Sequence, residues 1–180
     1  MSNALKNNII NFFALQVNWF VAIYGASKGV IWPCILITAL FAWWQLNEKR
    51  RHPNDVRVII CAIFIGMTLD SLWQFAGLVQ FVSSPLAPLT PIWLLMLWIT
   101  FALTFNHSLS WLKPKTLLAT LLGFIFSPLT YWGGSRLGGM IYLENIWLVS
   151  AILGIAWAIV MYVLMHQANY PSMNIKAHGK

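Results

Sequence analysis

A chain of 180 residues that is 59% hydrophobic and only 8% charged is excluded from the ordinary soluble domains, in which about 25% of residues are charged. So few charges cannot cover a water-facing globule, whereas in lipid the exterior side chains should be apolar. The net charge of +7 does not mark a nucleic-acid binder, because the basic residues lie in short segments between apolar runs and form no stripe.

A spanning helix takes about 20 mostly apolar residues. Six runs approach that length, at 9–26, 30–46, 58–82, 91–112, 116–134 and 145–166. Their length and lack of sustained alternation favour helices over strands. The first run follows Lys6 and ends in a Tyr24-Gly25-Ala26 stretch that loosely resembles a cleavage site. Asn11, Gln16 and Asn18 interrupt it, and a signal peptide has an apolar core of about 7–15 residues, so a retained first helix is expected. The second run is the shortest and the third the longest, which predicts different tilts. Tight connections are expected near 27–29 and 113–115, and Pro53, Pro85, Pro88, Pro91 and Pro114 mark breaks. Pro128 interrupts the fifth run and is expected to kink it. Cys34 falls near the outer end of the second run and Cys61 near the inner end of the third. That separation exceeds the roughly 4.4–6.8 Å a disulfide spans, so both are read as free thiols.

The placement of the basic residues supports the count of runs. Lys6, Lys49, Arg50, Arg51, Arg57, Lys113, Lys115, Lys176 and Lys180 fall on one side of a six-span topology, and only Lys28 and Arg136 on the other. Short basic segments stay cytoplasmic. The expectation is an all-α bundle of six transmembrane helices, a single integral membrane domain with both termini cytoplasmic and no soluble domain.

Four stretches carry a family resemblance: Phe13–Ala26, Gly66–Leu78 (GMTLDSLWQFAGL), Pro91–Leu112 and Ser127–Gly139. Their order resembles the domain of unknown function numbered 2878, a family of small bacterial inner-membrane proteins. The Asp70 region and Asn106-His107-Ser108 are the most specific parts. The resemblance implies a bacterial inner membrane and genes lying near those of fatty-acyl-modifying enzymes, which points towards lipid chemistry, and the family has no established activity to carry over.

Of the acidic residues Glu48, Asp55, Asp70 and Glu144, only Asp70 lies deep inside a run. It sits about twelve residues in, or roughly 18 Å, where insertion of a carboxylate costs about 2.5–3.5 kcal/mol. Gly66, Asp70, Gln74 and Gly77 share a helical face expected to look into the bundle. Asp70 is therefore read either as a proton-exchanging or cation-contacting group, or as a neutral hydrogen bonder that fixes packing. His107 is the one histidine well inside a run, on a stripe with Thr100, Thr104 and Trp111. Asp70 and His107 are the candidate catalytic residues, with a water-bridged relay between them as one reading and separate inter-helix hydrogen bonds as the other. Asn18 matches Asp70 in depth and is a candidate amide partner. Along the fifth run, Thr116, Thr120, Gly123, Ser127, Thr130 and Gly134 form a small-residue stripe read as a packing face, as are Ser150, Gly154 and Ala158 in the sixth.

Ten of the eleven tryptophans are read in two groups. Trp32, Trp43, Trp93, Trp111, Trp132 and Trp147 fall near interfaces. Trp19, Trp73, Trp98 and Trp157 fall nearer mid-membrane, where an aromatic cavity for an apolar chain, or simple bulk filling, accounts for them. The glycine-dense segment 131–139 faces outward, and Arg136 within it is a candidate for a headgroup phosphate. The candidate ligand-binding residues are thus Asn18, Trp73, Gln74, Trp98, Thr104 and Arg136.

No run contains a lysine for a Schiff base, and no CxxC, HExxH or GxSxG motif occurs. No metal and no cofactor is expected. Three functions remain: handling or modification of a lipid or other apolar ligand, which the aromatic content favours; proton-coupled transport through Asp70 and His107; and a non-catalytic scaffold or accessory subunit. The expected partners are membrane lipids and a membrane protein or second copy, with no nucleic acid.

Overall fold

The computed structural model describes residues 2–171, so the Lys176 and Lys180 of the charge count lie outside the described residues. Six helices occupy the six apolar runs: α1 (Asn3–Ser27), α2 (Trp32–Gln45), α3 (Asp55–Phe75), α4 (Ile92–Ala102), α5 (Thr116–Arg136) and α6 (Ile146–Ala168). Four of them, α1, α3, α5 and α6, are long and apolar enough to cross a membrane, while α2 and α4 are shorter. The polarity of the bundle is that of a membrane protein. Asn11, Asn18, Thr38, Gln45, Asp55, Asp70, Thr100 and Thr104 are buried, while Phe13, Phe20, Phe64, Leu117, Ile155 and Ile159 are exposed. Water would select the reverse.

Packing follows from where the small residues fall. α5 and α6 form the most extensive helix pair. Gly123 lies against the backbone of Trp157 and the side chain of Met161, and Gly154 against Phe124. The expected small-residue faces of both helices are thus packed at these positions, although Thr130 faces outward. α5 runs through Pro128 as one helix. α4 is central, packed on α1, α2 and α3, and α3 also packs on α6. Cys34 and Cys61 are free.

Two of the expected spans end early. The third was expected to run to Val82, yet α3 stops at Phe75. Gly77 adopts a positive φ of 67°, and the N–H of Leu78 donates back to the Trp73 carbonyl, the hydrogen bond that closes a helix at a glycine. Gly138 closes α5 in the same way, with φ 81° and the Gly139 N–H on the Gly134 carbonyl. Each chain then enters a three-residue strand, β1 (Val79–Phe81) after α3 and β2 (Met140–Tyr142) after α5. The strands pair antiparallel in the register Val79↔Tyr142, Gln80↔Ile141 and Phe81↔Met140. A small ribbon thus interrupts the all-α expectation and fastens two connections at one end of the bundle.

The fourth span was expected over 91–112, but α4 ends at Ala102, and tight turns lead to a short 3-10 turn at Ser110–Leu112. Polar residues compete here for the helix's own backbone groups. Thr104 donates its hydroxyl to the Phe101 carbonyl at 2.6 Å, and Asn11 from α1 takes the Leu103 carbonyl at 2.9 Å. At the same end, Asn54 donates to the carbonyls of Ala168 and Tyr170. Arg57 stacks on the Tyr170 ring, 4.0 Å from its centroid.

Candidate functional site

Asp70 is fully buried because its face of α3 carries only small neighbours. Asp55, Val58, Ala62, Gly66 and Asp70 recur every three to four residues on the buried side. Gly66 makes room for the Trp98 indole, since a Cβ there would come within 2.4 Å of the ring. Trp98 then donates its Nε1–H to Asp70 Oδ2 at 2.6 Å, and Tyr131 of α5 donates its hydroxyl to Oδ1 at 2.8 Å. The Trp98 ring stacks on Trp157 of α6, with centroids 4.8 Å apart and planes 11° apart. One carboxyl group thus joins α3, α4 and α5, and the stack extends the junction to α6.

Trp98, Tyr131 and Trp157 form part of the wall of a half-open cavity of about 790 Å³ between α1 and α5. Phe12, Leu15, Gln16, Trp19 and Phe20 line it from α1, and Phe126, Ser127 and Thr130 from α5. Phe81 and Met140 of the ribbon close one end, and Ser108, Trp111 and Leu112 form the other. Small-molecule sites occupy about 300–1,000 Å³ and are mostly apolar with a few placed polar groups. This cavity matches that description. Three of the four mid-membrane tryptophans, Trp19, Trp98 and Trp157, line it, and Trp73 does not.

His107 belongs to a different cluster. Its Nε2 meets Asp55 Oδ2 at 3.0 Å and its Nδ1 meets Gln45 Nε2 at 3.2 Å. Gln45 Oε1 accepts from Asn11 Nδ2 at 2.8 Å, so the Gln45 amide presents a donor to the ring. That leaves Nδ1 as acceptor and places the ring proton on Nε2, toward Asp55. Asn11 is oriented in turn by the Ser108 hydroxyl, which donates to its Oδ1 at 2.6 Å. Asp55 also accepts from Asn106 Nδ2 at 2.9 Å and from the His52 backbone N–H at 2.7 Å. Around this cluster, partial burial holds the Lys113 ammonium below the ordinary lysine range, and the Asp55 carboxylate opposes that shift. Burial, then the Lys113 charge, holds the His52 imidazole below its ordinary value of 6.5, again opposed by Asp55.

The chain matches, over residues 8–163, the model of a family described as a protein of unknown function (DUF2878). It belongs to this family. No curated protein and no solved structure matches it.

In this DUF2878 member the candidate residues of the sequence separate into several groups. Asp70 and Trp98 meet at the cavity wall, while His107 lies in the Asp55 cluster, and the two hydrogen-bond networks share no residue. The Asn18–Asp70 pairing is corrected. Asn18 donates to Thr38 at 2.9 Å and Thr100 at 2.7 Å, because similar depth does not fix which way each helix face points. Gln74 does not line the cavity. Its amide holds the carbonyls of Pro88 and Leu89, and its Oε1 receives the Phe81 N–H, fastening the outer connection. Thr104 is buried on its own helix end. Trp73 packs under the ribbon, its Nε1 without a partner. Arg136 is exposed at the end of α5 and does not line the cavity.

Asp55, Gln45 and Tyr131 were not singled out for these networks, and Asn11 was read only as an interruption of the first run. Asp55 looked like a loop residue beside a basic segment, although an acidic residue following Pro53-Asn54 at the start of an apolar run is a helix-start pattern. Among the described residues, no three His, Cys, Asp or Glu side chains cluster in a way that would hold a metal.

Proposed function

We propose that this protein binds an apolar chain, that of a lipid or another membrane-soluble molecule, in the cavity between α1 and α5, and that it handles or modifies that ligand within the bilayer. The observation that carries this reading is the aromatic cavity of about 790 Å³ whose wall includes Trp98 and Tyr131, both hydrogen-bonded to the buried Asp70. A cavity open between two helices admits a ligand from the hydrocarbon without passage through water. Asp70 holds the wall in place, and Gln16, Ser108, Ser127, Thr130 and Tyr131 supply the few polar groups that line it. Proton-coupled transport through an Asp70–His107 relay receives less support, since those residues sit in separate networks.

The proposal includes the setting: a single integral domain in a bacterial inner membrane, crossed six times, with the Asn3 end of α1 and the Ala168 end of α6 cytoplasmic. The placement of the basic residues supports it. So do the hydrogen bonds among connections at each end, since Asn54 reaches Ala168 and Tyr170 at one, and Ser83 reaches the Ala26 carbonyl at the other.

The test is binding of a fluorescent polyene acyl probe to the full chain in detergent, read by energy transfer from tryptophan. Leu15→Trp fills the cavity, and the control Leu117→Trp alters an exposed residue outside it. Leu15→Trp should weaken the probe by about tenfold, or about 1.4 kcal/mol, with the control unchanged. A wild-type chain that neither binds the probe nor retains lipid through purification overturns the reading.

A further inference from the structure

We infer that the ligand of this cavity is a single-chain anionic amphiphile, its carboxylate or phosphate head lying at the Lys113–Lys115 turn and its tail pointing toward the β1–β2 ribbon. The inference rests on the cavity reading above and adds head chemistry and direction.

The two ends of the cavity differ in chemistry. At the ribbon end the lining is Ile23, Phe81 and Met140, with no cation. The cations on that side are placed elsewhere: Lys28 lies over the Tyr24 ring, and Arg136 is exposed and does not line the cavity. At the other end Ser108 and Trp111 line the cavity. The Lys115 ammonium stands 5.8 Å from the Trp111 ring centroid, and Lys113 follows directly on Leu112, another lining residue. A cation thus flanks a half-exposed ring that is itself cavity wall.

That cation is also electrostatically free. Among the described residues, the one contact within 4.0 Å between a basic side chain and a carboxylate joins His107 to Asp55. Asp55 is already engaged by three donors, and neither Lys113 nor Lys115 has a carboxylate of the described residues within 4.0 Å. An apolar cavity with an ammonium beside one of its lining rings favours a molecule with a long apolar part and one negative head. An uncharged chain would forgo the attraction, and a small free anion would gain nothing from the aromatic lining. The Ser108 hydroxyl, committed to Asn11 as a donor, leaves the head to be held by cations at this end.

The experiment compares four probes on the full chain in zwitterionic detergent: a polyene fatty acid, its methyl ester, dodecyl phosphate as competitor, and inorganic phosphate alone. A lysine near a membrane surface contributes about 1 kcal/mol to an anion, so Lys115→Gln should weaken the fatty acid by about fivefold and leave the ester unchanged. Lys115→Arg should restore binding. Dodecyl phosphate should displace the probe, and inorganic phosphate should not. An acyl chain brominated near its head should quench Trp111 fluorescence, absent in Trp111→Phe, more than one brominated at its tail. Equal binding of acid and ester with no effect of Lys115→Gln overturns the head assignment and leaves the cavity reading standing. Displacement by inorganic phosphate overturns it in favour of a free-anion site. If neither acid nor ester binds, the cavity reading fails first and this inference falls with it.

Discussion

Asp70 is where substitution separates the functional readings most sharply. Replacement by Leu removes both acceptors, stranding the Trp98 indole N–H and the Tyr131 hydroxyl, which now donate at 2.6 and 2.8 Å. An inter-helix hydrogen bond in a membrane is worth about 0.6 kcal/mol on average and up to about 1.7, and a stranded buried donor costs about 1–3 kcal/mol. Two donors, with partial relaxation toward the cavity, place Asp70→Leu at about 2–4 kcal/mol. Asp70→Asn behaves differently. Its carbonyl oxygen can serve Trp98, which only donates, and its amide can donate to the Tyr131 oxygen, so the loss should be about 1 kcal/mol. Thermal unfolding in detergent reads both variants, and a double-mutant cycle of Asp70→Leu with Tyr131→Phe should return a coupling of about 0.5–1.7 kcal/mol. Asp70→Leu melting with the wild type, or Asp70→Asn proving as damaging as Leu, refutes the reasoning. The same Asn variant tests proton exchange: it cannot carry the proton, so a growth or lipid-profile phenotype that survives Asp70→Asn rules that role out.

Gly123→Ala should cost about 1–3 kcal/mol by overpacking, because the added Cβ meets the Trp157 carbonyl oxygen at 2.7 Å, a backbone atom that yields only if α5 and α6 part; a wild-type melting temperature refutes this. Asp55→Leu should cost about 3–5 kcal/mol, since it strands His107 Nε2, Asn106 Nδ2 and the His52 N–H together; limited proteolysis should then cut the 47–54 connection faster than in wild type. His52 titrates below its ordinary 6.5, so its contribution to stability is present above that value and is lost as pH falls toward the folded value. Protonation also removes the acceptor that Nδ1 offers to the Asn54 N–H. The melting temperature should accordingly fall between about pH 7 and pH 5, with a shallower slope in His52→Gln, and identical slopes refute the assignment.

The runs of apolar residues placed six helices because length and hydropathy act through each segment alone. Asp70 was likewise legible, since a carboxyl among Gly66 and small neighbours has only the bundle interior to face. Its partners were not. The rotation of α1 about its axis decides whether Asn18 meets Asp70 or the Thr38–Thr100 pair, and no periodicity within one helix fixes that angle. The end of α4 escaped for a related reason: residues 103–112 remain apolar enough to read as a span, and the Asn11 amide that takes the Leu103 carbonyl lies 92 positions earlier. The β1–β2 pairing joins three-residue segments some sixty positions apart, too short to show alternation. The sequence left cavity lining and bulk filling open for the mid-membrane tryptophans; Trp19, Trp98 and Trp157 line the cavity, and Trp73 fills space beneath the ribbon.

At about 1.5 Å per residue, the 11 residues of α4 cover roughly 16 Å, about half the hydrocarbon thickness. The peptide groups that follow need partners that lipid does not supply. Local turns provide most of them, and α1 provides two: Asn11 takes the Leu103 carbonyl through its amide, and its oxygen receives the N–H of Ser108 together with that residue's hydroxyl. In the six-span arrangement proposed above, the fourth segment is therefore expected to settle onto a surface already in place rather than to partition alone, with α1, synthesised first, as its template.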